Sequence, residues 1–149
     1  MAELSKTVLQ EQDEQLFLKN AEAALLEMEK AADGINIVGV GLVAYVPGDE
    51  TLGWISKMKV VNAIGDDEAN FLAIAYTKAS EMVMTHQDSG SQVRTPLRGE
   101  FGYKGGVIRR VRSGYILATF SGAHWTKDLM VSEAGINYLL DNFTEGSAD

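Results

Sequence analysis

Residues 35–46 read Ile-Asn-Ile-Val-Gly-Val-Gly-Leu-Val-Ala-Tyr-Val. In an extended chain, successive side chains point to opposite faces. Here both faces are mostly apolar and rich in β-branched residues. A strand of that kind is stable only when layers cover it on both sides, so it belongs in the middle of a sheet and not on a solvated edge. This one segment predicts a sheet with helices packed on its faces.

The flanking sequence supplies the layers. Phe17, Ala21, Ala24, Leu25, Met28 and Ala32 recur at helical spacing, which predicts a helix over 10–32 that stops at Asp33-Gly34. Pro47-Gly48-Asp49-Glu50 reads as a turn. Residues 51–61 read as the returning strand, with Leu52, Trp54, Met58 and Val60 on one face and Lys57 and Lys59 on the other. Asp66 and Asp67 suit the start of a second helix running to Met84, with Leu72, Ala75, Tyr76, Ala79 and Val83 on its apolar side.

Residues 85–106 are punctuated by Pro96 and five glycines and lack periodicity. A loop that long is uncommon unless it is functional, mobile or hides a strand, and a short strand is expected at Glu100–Tyr103. Residues 107–112 and 115–120 then flank Ser113-Gly114, which reads as a tight hairpin turn whose positive φ Gly114 would bear easily. A last helix is expected over 126–143, with Val131, Ala134, Tyr138 and Leu139 inward and residues 144–149 frayed. Helices and antiparallel hairpins in this order give the α+β class, in one domain spanning 1–149.

Composition narrows the function classes. The 149 residues include no cysteine, which excludes disulfides, thiol nucleophiles and cysteine-held metal clusters. The formal charge is −8, a poor match to nucleic acid or an anionic membrane. No apolar run approaches the roughly 20 residues of a membrane helix. The first residues lack the basic and apolar regions of a secretory signal, so the expected location is cytoplasmic.

Three stretches carry a family resemblance. They are the opening helix running into Gly-Ile-Asn-Ile-Val-Gly-Val at 34–40, Ala75-Tyr76-Thr77-Lys78-Ala79, and the series Gly105-Gly106-Val107-Ile108, Gly114, Ser121-Gly122-Ala123, Asp128 and Ala134-Gly135. In this order and at these intervals the chain resembles the GlcG/HbpS-like family over roughly residues 12–142. The resemblance implies a profilin-like sandwich with a five-stranded antiparallel sheet, homo-oligomers, and in several members a function tied to haem or corrinoids. Haem is thus the cofactor it points to, without a transferable iron ligand. The chain departs from the family at Lys57-Met58-Lys59-Val60, where members carry Arg-Met-Asp-Gly, and in lacking a proline after Gly105-Gly106.

The candidate ligand site is the turn after the last strand. Ser121, Gly122, Ala123 and His124 lead into the final helix, whose free N–H groups and dipole would favour a carboxylate. Gly105 and Gly106 leave room opposite. Ser121, His124 and Asp128 sit close enough in sequence for a hydrolase reading, but the chain has no nucleophile elbow. His124 and His86 are the only imidazoles available to a haem iron. Lys104, Arg109, Arg110 and Arg112 form one basic cluster, suited either to salt bridging or to an anion. Two function classes result: a small-molecule-binding or accessory domain, self-assembled, or an enzyme acting on a small organic acid or on haem.

Overall fold

The computed structural model describes residues 7–147. The expected central strand is β1 (Gly39–Pro47), which lies between β2 (Ile55–Val61) and β4 (Gly114–Ser121); β3 (Val107–Val111) completes a sheet of order β2-β1-β4-β3. All three pairings are antiparallel. The helices are α1 (Val8–Gly34), α2 (Phe71–Thr85) and α3 (Trp125–Ser147).

Alternation along β1 sets the three layers. Val43 and Tyr45 face one way, into a core shared with Phe17 and Met28 of α1 and Leu139 and Phe143 of α3. Leu42, Ala44 and Val46 face the other way, onto Ala79, Met82 and Val83 of α2. Two helices thus cover one face and one helix the other. The first core centres on Tyr45, whose ring lies 6.5 Å from Phe17 and 6.2 Å from Phe143. Each such fully buried side chain contributes about 1.5–3 kcal/mol. Lys57 and Lys59 of β2 turn to α1, pairing with Glu22 and Glu29.

Among the described residues the sheet has four strands, not five. Residues 100–106 do not pair as a strand, because their hydrogen bonds go elsewhere and their glycines break the extended backbone. Gly99, Gly102 and Gly105 have φ of 95°, 69° and 114°. The Glu100 carboxylate takes both Arg94 Nη atoms, at 2.6 and 3.0 Å, and the Leu97 amide at 2.9 Å. Gly106 N donates to Ser89 Oγ. The long loop is therefore an ordered strap, and it delivers Tyr103, Lys104 and Gly105 to the end of the sheet.

Several boundaries differ from expectation, and the returning strand β2, expected from 51, begins at Ile55. Helix α2 begins at Phe71 with Asn70 as its cap, whereas Asp66 closes its own turn by accepting from the Glu68 and Ala69 amides. In the β3–β4 hairpin Val111 pairs with Gly114, so Arg112 and Ser113 form the turn, and neither they nor Gly114 has positive φ. Gly114 is required for space: a Cβ there would lie 2.1 Å from the Val46 carbonyl oxygen. Helix α3 extends through Ser147, so the frayed tail expected from 144 is helical as far as it is described; residues 148 and 149 lie outside the described residues.

Candidate functional site

A cleft of about 320 Å³ opens where β4 ends, between the start of α3, the first half of α2 and the strap. Its floor holds a buried ion pair. Lys78 projects from the inward face of α2, and its Nζ donates to the Phe120 carbonyl oxygen at 2.7 Å and to Asp128 Oδ2 at 3.1 Å. The two side chains are 2% and 5% exposed. The other carboxylate oxygen, Asp128 Oδ1, accepts from the Ala123 amide at 3.0 Å. One lysine thus ties together the ends of β4 and α3 from the third element.

Burial governs the charge of this pair. It pushes the Lys78 ammonium below the usual lysine range, against the pull of Asp128. It likewise pushes the Asp128 carboxyl above the usual range, against Lys78 and the amides of Ala123 and Gly122. The attraction between the two groups and these hydrogen bonds oppose the effect of burial, at a desolvation cost that solvated groups would not bear.

Gly105 shapes the approach to the pair. Its φ of 114° suits glycine alone, and a Cβ would sit 3.0 Å from Asp128 Cβ and 3.1 Å from Lys78 Nζ. The neighbouring strap residue Lys104 lies at the mouth, with its ammonium 5.0 Å over the Trp125 ring. Lys104 forms no ion pair among the described residues. The arginines expected to cluster with it are all engaged: Arg109 with Asp88, Arg110 with Asp49, and Arg112 with Asp13.

The residues singled out from sequence separate into three groups. Ser121, Gly122 and Ala123 line the cleft. Gly105 borders it through its contact with the ion pair. Gly106 does not: a Cβ there would meet Met82, Thr119 and Ser89 inside the α2 layer. His124 stands outside the lining, exposed, with Nδ1 3.0 Å from Thr126 Oγ1. Gly122 packs against β1, where a Cβ would lie 1.8 Å from the Val38 carbonyl oxygen.

The backbone amides expected to be free at this turn are mostly taken. His124 O accepts from Lys127 and Asp128, and the Ala123 amide goes to Asp128. The positive charge that the cleft offers comes from lysine side chains. No Ser-His-Asp relay forms either, since His124 bonds to Thr126 and Asp128 to Lys78. Ser121 Oγ, by contrast, has no hydrogen-bond partner among the described residues although the residue is 1% exposed. His86 lies at the other end of β4, stacked 4.2 Å from the Tyr115 ring. Among the described residues, no group of three His, Cys, Asp or Glu side chains is arranged to hold a metal ion.

Lys78 is the cleft residue that periodicity alone passes over. Its signal was a lysine on the stripe Phe71, Ala75, Lys78, Ala79, Met82, where α2 buries its side chains.

No family model matches the chain, and no curated protein matches it in sequence. Its fold is found in the crystal structure of Klebsiella pneumoniae protein ORFY, a DUF336 protein. The TM-score is 0.58 at 18% identity, over 83% of this chain and 89% of that one. The three-layer α+β arrangement is thus one that this protein shares with ORFY. No helix among the described residues is long and apolar enough to cross a membrane.

Proposed function

We propose that the chain is a small-molecule-binding or accessory domain of the GlcG/HbpS type, and that its ligand is a small organic acid seated at the head of α3. One observation carries this reading. Two lysines, Lys78 and Lys104, line a single cleft in a chain of net charge −8, and the carboxylate in that lining, Asp128, is already consumed by Lys78 and backbone amides. A cleft of about 320 Å³ is at the small end of ligand pockets, which run from roughly 300 to 1,000 Å³. Trp125 and Tyr103 give it aromatic walls.

Calorimetric titration with butanoate tests the reading. Saturable binding is expected, with Lys104→Gln weakening it about fivefold, the loss of roughly 1 kcal/mol typical of an exposed charge pair. Absence of binding by small carboxylates would overturn it.

Haem, the cofactor that the family resemblance implies, fits this lining poorly. No histidine, methionine or cysteine lines the cleft, and Tyr103 is the one lining group of a type that serves as an axial ligand. A Soret band on haem addition, abolished by Tyr103→Phe, would replace the acid with haem. The enzyme reading lacks a nucleophile–base pair at this site. The resemblance also supports self-assembly, and light scattering should return a multiple of the 16.2 kDa chain mass.

A further inference from the structure

One residue of the cleft lining, Ser121, has a buried hydroxyl with no hydrogen-bond partner among the described residues. Ser121 is the last residue of β4, and its side chain faces the α2 layer, two residues on from Thr119, whose hydroxyl donates to the Ala75 carbonyl of α2. Thr119 Oγ1 is satisfied; Ser121 Oγ is not, and it is sealed from bulk solvent. A buried hydroxyl without a partner costs about 1–3 kcal/mol, so it persists in a fold where something else completes it. Lys78 lines the same cleft, and its ammonium has three protons, of which two go to Phe120 O and Asp128 Oδ2. Gly105 keeps the space beside that nitrogen open.

We infer that Ser121 Oγ and the remaining Lys78 proton read a second oxygen on the ligand, so that the cleft selects acids carrying a hydroxyl, carbonyl or second carboxylate over plain alkyl acids. This rests on the small-acid reading and specifies it. The carboxylate lies toward Lys104 at the mouth, and the second oxygen meets Ser121 and Lys78 at the floor. Ser121 is then a specificity-determining residue, and a ligand without the oxygen leaves the hydroxyl unpaired. Sites built around a hydrogen bond reject analogues that lack the bonding group far more strongly than apolar pockets reject a missing methylene.

The test is a calorimetric panel of four-carbon acids that varies the position of the oxygen: butanoate, 2-oxobutanoate, 3-hydroxybutanoate, 4-hydroxybutanoate and succinate. The expected result is that at least one oxygenated acid binds about tenfold or more tighter than butanoate. Ser121→Ala should erase that preference by weakening the favoured oxygenated acid about tenfold or more. The substitution removes no hydrogen bond from the protein, and the wild-type ranking alone tests the inference should the variant fold badly. Lys104→Gln should weaken all the acids alike. Equal binding of butanoate and every oxygenated acid would overturn the inference while the small-acid reading stands. A preference that survives Ser121→Ala would overturn the assignment to Ser121 in the same way. Binding by none of the acids would overturn both.

Discussion

Lys78 on α2 and Asp128 on α3 meet 3.1 Å apart beneath the cleft, with both side chains almost wholly removed from solvent. The pair joins two helices that pack on opposite faces of the sheet, around the end of β4. It therefore closes the sandwich at that end as well as forming the cleft floor. Removing one partner strands a charge in a low-dielectric site. Lys78→Met is expected to cost about 3–5 kcal/mol, and Lys78→Met with Asp128→Leu less than the sum of the two single changes. Urea denaturation of the four proteins in this cycle measures both.

Gly114 should tolerate no side chain. A Cβ would overlap the Val46 carbonyl oxygen and lie 2.7 Å from Gly48 N, both backbone atoms that cannot rotate aside. Gly114→Ala is expected to destabilise by about 1–3 kcal/mol, as overpacking does. A thermal melt checks this. An unchanged Tm would show that β1 can shift at Pro47 without loss.

Stability should fall at alkaline pH through Tyr45. Its hydroxyl lies 2.6 Å from Ser113 Oγ, which itself donates to Asp13 Oδ2 at 2.5 Å, so Tyr45 is the donor to Ser113. Burial, reinforced by the carboxylates of Asp13 and Glu14, pushes the phenol above its ordinary value of 10.0. Above that pH the unfolded chain releases this proton while the folded chain keeps it. The folded state then binds more protons, and stability declines as pH rises. The contribution is fully present below pH of about 10. Tyr45→Phe should flatten the decline and cost about 1 kcal/mol at neutral pH through the lost hydrogen bond. Denaturation midpoints between neutral and strongly alkaline pH provide the comparison.

Gly105→Ala should damage the cleft more than the fold around it. The new methyl would press on Asp128 and Lys78 and take a backbone conformation that costs an L-residue about 1–3 kcal/mol. Butanoate affinity should drop, and far-ultraviolet circular dichroism should stay that of the parent. Full affinity in a folded variant would place the ligand away from Lys78.

Chain-local patterns decided the layers. The doubly apolar run at 35–46, the helical stripes through Phe17 and Met28 and through Val131 and Leu139, and the Lys57/Lys59 alternation all follow from side-chain periodicity, which any extended or helical chain must obey. Such patterns also put Ser121, Gly122 and Ala123 at the start of the last helix, where they line the cleft. Periodicity cannot see a residue whose partner is distant in sequence. Lys78 finds Asp128 across 50 positions, and Ser113 finds Asp13 across 100. The strap likewise gives up strand pairing for carboxylate and hydroxyl partners that only the folded chain brings near. Gly114 and Gly122 read as turn or ligand glycines in sequence, yet each is fixed by the close approach of another strand's backbone. Local periodicity settles which faces must be buried. Which polar and charged groups go in with them is settled only on folding, because the cost of burying a charge is met only by partners that the folded chain brings near.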